Sequence, residues 1–297
     1  MGAHPTSTRA TSGTRPTPTR TWPSTASSTS GSAGWPGTTT CTTWAPPGAA
    51  LRRLWYAQEQ RLRRHPAGGL IGGSEWADAF LPAGYNQFFW PSLAEVFAAW
   101  VHHGDAQGLK DAYDAAVGPG DDNLYAVYLA VECTDARWPT NWNRWRRDNW
   151  RLHARHPFFT WGNAWFNAPC VFWHAPAGTP VRVNGRHVPG ILLIDETLDA
   201  ATPFAGSLEV RRRYPRARLI AEPGGASHAN SLAGNACVDD QIAAYLADGT
   251  LPPRKPGNRP DAICAPLPQP VPSSQAATVA AANSGAAARL RQTLARR

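Results

Sequence analysis

The sequence predicts an α/β fold, a long helical stretch followed by the last strands of a parallel sheet. Three observations carry this reading. From Leu51 to about Pro180 the apolar residues recur at one-face helical spacing. Beyond Val181, Ile191–Ile194 and Ala217–Ala221 are short apolar runs of strand length. Each of these runs is followed by a helix-length stretch, giving strand–helix–strand–helix order, the mark of parallel structure.

Taken in order, residues 1–50 contain no Leu, Ile, Val, Phe or Tyr and no Asp or Glu. Such a segment cannot bury enough apolar area to offset its ordering entropy, so it is expected to be disordered. The composition changes abruptly near Leu51, which favours out-of-frame translation of this segment, with N-terminal truncation of the folded region beyond it, over the alternative of a flexible Ser/Thr/Pro-rich linker or stalk. Leu51, Leu54, Trp55, Gln58 and Leu62 define a first helix that stops at His65-Pro66. Ser92 reads as the N-cap of a helix through Leu93, Val96, Phe97, Trp100 and Val101, with Glu95 closing a capping box. Helices are also expected over Leu109–Val117 and Asn123–Val131. Trp138–His156 interleaves Trp with Arg, and Phe158–Trp173 reads as aromatic and irregular. Ile191–Ile194 reads as a strand buried on both faces. A helix over Phe204–Arg213, a strand over Ala217–Ala221 and a helix over Val238–Leu246 come next. Beyond Pro252 the chain is expected to wrap the surface, and residues 273–297 to be disordered apart from a marginal helix near Ala286–Leu294. The domain reading is therefore 1–50 disordered, 51–180 helical, 181–272 α/β and 273–297 a disordered tail.

Functional side chains of an open parallel sheet sit beyond the carboxyl ends of its strands. Two acids, Asp195 and Asp199, follow the first strand, and His228 follows the second after Gly224 and Gly225. An acid and a histidine after successive strands match the last two members of a Ser…Asp…His order. In that chemistry an imidazole takes the serine proton, and a carboxylate on its other nitrogen fixes the tautomer. From the residues alone either Asp195 or Asp199 could be the acid.

Several spaced motifs then carry a resemblance. They are Asp199-Ala200-Ala201-Thr202-Pro203 with Gly206, Tyr214-Pro215-Arg216-Ala217-Arg218-Leu219, His228, Asn235-Ala236-Cys237-Val238-Asp239 and Tyr245-Leu246-Ala247-Asp248-Gly249-Thr250-Leu251-Pro252. With Ala130–Asp135 and Asn167–Cys170 upstream, the stretch from about Leu51 to about Pro272 resembles the C-terminal region of secreted bacterial tripeptidyl aminopeptidases. The resemblance implies an incomplete α/β-hydrolase, a helical cap over 51–180 plus the last strands of the sheet. It implies Asp199 as triad acid and His228 as general base, with no cofactor. Glu75 and Glu132 are candidates for holding a peptide α-ammonium, against the alternative of surface or helix-capping acids. Trp161, Trp165 and Phe166 are expected in the cap core rather than in a subsite. The expected disulfides are Cys133–Cys170 and Cys237–Cys264.

One departure is large. The nucleophile elbow G-x-S-x-G occurs nowhere in the 297 residues. Ser227 adjoins His228 and cannot reach its ring as an elbow serine would, while Ser74 and Ser207 lack the Gly context. The expected function is thus the C-terminal part of a serine aminopeptidase, inactive as this chain alone and acting on peptides only if an upstream fragment completes it. A non-catalytic remnant or binding module is the alternative, and a basic nucleic-acid-binding protein a weaker one.

Composition narrows the partners. The formal charge of +8 permits attraction to polyanions without establishing it, and the Trp/Arg stretch reads better as one buried helix face with Arg on the wet side. No nucleic-acid partner is expected. No apolar run reaches the roughly 18 residues of a membrane span, and no basic–apolar–small succession marks a secretory signal. Neither the five cysteines nor the histidines show ligand spacing, so no metal is expected. Setting Cys41 aside, the even set of four suits an exported, disulfide-bonded protein.

Overall fold

Residues 48–117, 122–179, 181 and 185–270 are described by the computed structural model. The expectations for most of 1–50, including Cys41, and for 273–297 fall outside these residues. The described chain forms two compact units, one from residues 122–181 and one from 48–117 together with 185–270. The helical stretch 51–180 is therefore not a single body: residues up to 117 fall in the same unit as the sheet-bearing segment, and those from 122 in the other.

In the larger unit, β1 (Ile191–Glu196) pairs in parallel with β2 (Ala217–Glu222) over six residues, from Ile191 opposite Ala217 to Glu196 opposite Glu222. A two-residue strand, β3 (Ala262–Ile263), pairs in parallel with the other edge of β2. The order is β1-β2-β3. β2 is the sheltered strand, with Leu219 and Ile220 fully buried, whereas Ile191–Ile194 of β1 are only half-buried. The expectation that β1 is covered on both faces is corrected here: among the described residues β1 is an edge strand, paired on one side. Leu192 and Ile194 do pack against a core of Ile220, Val238 and Cys264.

The helix α8 (Phe204–Arg213) connects β1 to β2, and α9 (Ala236–Asp248) follows β2. The tail beyond Pro252 does more than wrap the surface. It supplies β3, and it supplies Asp261, which meets Arg211 of α8 in a two-pronged ion pair, both bonds 2.7 Å, with both side chains sealed from solvent. Arg211 also donates to the carbonyls of Gly257 and Lys255, and Asp261 accepts from the amides of Leu219 and Lys255. A guanidinium is tolerated in a core only when its donors are matched in this way.

Helices from the N-terminal side complete this unit. They are α1 (Gly48–Arg64), α2 (Gly73–Ala79), α3 (Trp90–His103) and α4 (Ala106–Val117). Their shared core is aromatic: Trp55, Trp76, Phe80 and Phe97 are buried, with adjacent rings 4.7–6.2 Å apart. Ser92 is not the N-cap of α3. The helix starts at Trp90 with Pro91 in its first turn, where a missing N–H costs nothing, and the Ser92 hydroxyl instead donates to the carbonyl of Phe89.

The smaller unit contains α5 (Asp122–Asp135), α6 (Trp142–His153), α7 (Thr160–Asn167) and a short 3-10 turn, Ala168–Phe172. The region expected to be irregular is thus helical over α7. Trp145 is the buried Trp of α6, while Arg144, Arg147 and Arg151 surround Asp148 on the wet side. Trp150, Trp165 and Phe166 are exposed, against the expectation that these Trp and Phe residues fill the core. With so many large rings on three short helices, the interior cannot seat them all.

Cys133 is bonded to Cys170, joining α5 to the 3-10 turn, and Cys237 to Cys264, joining α9 to the residue after β3. Closing loops of 37 and 27 residues restricts the unfolded chain by about 3–4 kcal/mol each on the chain-entropy account.

The Arg211–Asp261 pair gives a test. Asp261→Ala strands a buried guanidinium and is expected to cost about 3–5 kcal/mol of stability by urea unfolding, whereas Arg211→Met with Asp261→Leu should recover most of the loss. Equal losses in the single and double variants would contradict this role for the pair.

Candidate active site

Parallel pairing makes the loops after β1 and β2 leave the sheet at the same edge, and hydrogen bonds stitch the two together. Leu198 N–H donates to the Gly225 carbonyl (2.9 Å), and Gly224 N–H donates to Thr197 Oγ1 (2.8 Å). Gly224 adopts φ of +84°, a conformation that favours glycine. Gly225 has no room for a side chain, since a Cβ would lie 2.5 Å from Glu196 Oε2.

The stitched loops bring His228 onto Asp199, with Nδ1 2.8 Å from Oδ2. Asp199 is buried and its remaining capacity is filled. Oδ1 accepts from the amides of Ala201 (2.7 Å) and Thr202 (2.9 Å), and Oδ2 accepts from the Thr202 hydroxyl (2.9 Å). A carboxylate oxygen accepts, so a hydrogen bond across this contact is one in which the ring donates from Nδ1. The ring is about one-third exposed. Its backbone N–H donates to the Tyr85 carbonyl (2.6 Å), and the Tyr85 ring stands edge-on at 5.9 Å. Gln87 N–H donates to Ser227 Oγ (3.3 Å). The segment before α3 thus braces the histidine loop.

A small cleft of about 100 Å³ opens here, lined by Asp195, Glu196, Asp199, Thr202, Glu222 and His228 among others. Of the two candidate acids, Asp199 is the one against the ring. Asp195 bonds Ser207 instead, and burial pushes its carboxyl up to about 6, with the Asp199 charge adding to the rise. Its Oδ2 has no partner. Ser227 is buried with its hydroxyl turned to Gln87 and Asn86. Glu75 accepts from the Gly72 amide (2.9 Å) as the cap of α2, and Glu132 is exposed on α5 of the smaller unit. Among the described residues no three His, Cys, Asp or Glu side chains converge as a metal shell.

Sequence reasoning missed the residues that support the pair. Glu196 is buried and accepts from the Ser227 amide and from Asn230 Nδ2 (2.6 Å). Glu222 is fully buried, accepts from Asn235 Nδ2 (2.7 Å) on Oε2 and has no partner on Oε1. Burial pushes Glu222 up to about 7, the Asn235 bond opposing and the nearby Glu196 reinforcing the rise. The signal for both was present, an acid closing each apolar strand.

Residues 156–264 match the family model described as TAP-like protein. The chain is 39% identical over 230 residues to the tripeptidyl aminopeptidase of Streptomyces lividans, covering 75% of this chain and 42% of that protein. The Streptomyces coelicolor tripeptidyl aminopeptidase gives 39% identity with 75% and 41% coverage. A Mycobacterium tuberculosis protein named carboxylesterase B is 30% identical over 155 residues, half of this chain and 29% of its own length. The aligned stretch thus spans less than half the length of these relatives.

The raised carboxyls set a pH dependence. Between the ordinary carboxyl range and about 7 the folded state keeps a proton on Glu222 that the unfolded chain has released. Stability is then full at the acid end of this window and is lost as pH rises through about 7. Glu222→Gln keeps the Asn235 bond and has no charge to bury. It is expected to flatten the fall in urea-unfolding free energy between about pH 5 and 8, by up to roughly 3 kcal/mol. An unchanged slope would show that Glu222 titrates normally.

Proposed function

Starting from residues 156–264 as a TAP-like C-terminal domain on the α/β-hydrolase fold, we propose that this chain is the general-base half of a serine aminopeptidase. The supporting observation is the 2.8 Å contact of His228 Nδ1 with Asp199 Oδ2 at the carboxyl ends of adjacent parallel strands. In the proposed reaction His228 Nε2 takes the proton of a serine hydroxyl as its oxygen attacks a peptide carbonyl, then returns that proton to the leaving amine. Asp199 holds the tautomer that leaves Nε2 free and stabilises the imidazolium once formed. Its hydrogen bonds from Ala201, Thr202 and the Thr202 hydroxyl keep it oriented.

The nucleophile is proposed to come from outside this sequence, because G-x-S-x-G occurs nowhere in it. The substrate class is a short peptide with a free N-terminus, as the names of the Streptomyces relatives suggest. Glu75 and Glu132 are both kept as candidates for its α-ammonium, one oxygen of Glu75 being engaged in a helix cap. Neither nucleic acid nor membrane is proposed as a partner, and none of the described helices is long and apolar enough to cross a bilayer. Two disulfides favour an oxidising, extracytoplasmic site. The same lack of an elbow favours a second reading, a binding module that keeps the pair without turnover.

On this proposal the chain alone releases no chromophore from an unblocked tripeptide anilide, whereas supplementation with a fragment bearing the G-x-S-x-G elbow gives turnover. Asp199→Asn should lower that turnover about 10³–10⁴-fold, and Glu132→Gln should raise KM with kcat unchanged. Hydrolysis by the chain alone that disappears in His228→Ala would refute the missing nucleophile. Failure of every supplemented form would favour the binding module.

A further inference from the structure

The residue after the histidine is held in an unfavourable conformation. Ala229 has φ of +53°, a left-handed backbone that costs an L-residue with a Cβ and persists only where its surroundings impose it. Besides the brace from the segment before α3, one side chain holds this loop. Glu196, the last residue of β1, accepts from the Ser227 amide with Oε2 and from the Asn230 side chain with Oε1, so it grips the loop on both sides of His228-Ala229. It is 2% exposed, and Gly225 leaves it the space to reach across, since any Cβ there would collide with it. Both oxygens of this buried carboxyl have donors, and both donors come from the histidine loop.

We infer that Glu196 is the positioning residue of the site, clamping residues 227–230 so that the His228 ring meets Asp199. It does not touch the Asp199–His228 contact; it acts through the loop. The inference rests on the proposed role of that pair, and it makes the register of β1 part of the catalytic geometry, because Glu196 lies three residues before Asp199 on one continuous segment. The same strand end thus orients both partners, the acid through its loop and the base through the clamp.

The test uses the full chain labelled with ¹⁵N-histidine. The His228 signals are assigned by their loss in His228→Gln, and the hydrogen-bonded Nδ1 proton by its loss in Asp199→Asn. The wild type is expected to show a slowly exchanging, deshielded Nδ1 proton and a protected Ser227 amide. Glu196→Ala should lose the ring signal and speed exchange of the Ser227 amide about ten- to a hundredfold, with the circular dichroism of the fold retained. Glu196→Gln should restore both, because its amide oxygen accepts from Ser227 and its NH₂ donates to Asn230 once that side chain turns its oxygen inward. If Glu196→Ala does not fold, Asn230→Ala removes one of the two bonds and is expected to weaken the ring signal. Both signals unchanged in whichever of these variants folds would overturn the clamp. A wild type lacking the Nδ1 proton would instead overturn the Asp199–His228 reading.

Discussion

The parallel register of β1 on β2 is the constraint on which the site depends. Parallel strands point the same way, so the chain leaves both at one edge, and Glu196 opposite Glu222 sets the two exits level. A one-residue slip would turn every side chain of β1 to the other face, taking Glu196 away from the loop it holds. The helix between the strands cannot drift either. Its Arg211 is tied through Asp261 to the amide of Leu219, in the middle of β2. Acid, base and the connection between them are thereby referred to one strand.

This arrangement crowds four carboxyls, Asp195, Glu196, Asp199 and Glu222, at one end of a small sheet. Two solutions to the electrostatic problem stand side by side. Asp199 and Glu196 have donors on both oxygens, although burial still raises the Glu196 carboxyl. Asp195 and Glu222 each keep an oxygen without a partner, and burial moves both towards the protonated form. Moving Asp195 and Glu222 towards the neutral form lessens the mutual repulsion of the four carboxyls that line the cleft. The cost falls on stability at the alkaline end.

How much of this was legible in the sequence depended on whether the deciding forces were local. The bounds of α8 were readable to the residue because Pro203 precedes its first turn and Tyr214-Pro215 ends it. Asp199, His228 and both disulfides were readable from spaced motifs, which give order and pairing without coordinates. The resemblance to tripeptidyl aminopeptidases is matched by the identity to the Streptomyces proteins. The features that escaped are decided at a distance. β3 exists because Asp261 and Cys264 are captured by α8 and α9, and two residues carry no periodicity. The half-exposed state of β1 depends on which segment pairs with it. The division between residues 48–117 and 122–181 depends on which core each helix joins, and Trp165 has no mark that separates a wet ring from a packed one. Glu196 looked like any strand-end acid until its two donors were placed.

The bond between Cys237 and Cys264 has a consequence for where the protein can mature. It ties α9 to the segment that delivers Asp261, and Asp261 is the counter-ion of an arginine sealed inside the unit. With the thiols reduced, that segment loses its covalent tie and rests on β3 and its hydrogen bonds to Arg211 and β2, and its departure would leave a lone positive charge in the interior. Redox state and the solvation of a single guanidinium are thereby coupled. Oxidative maturation is part of what makes the hydrophobic layer habitable for a cation, so a thiol-rich cytosol would penalise this protein through its electrostatics as well as its chain entropy.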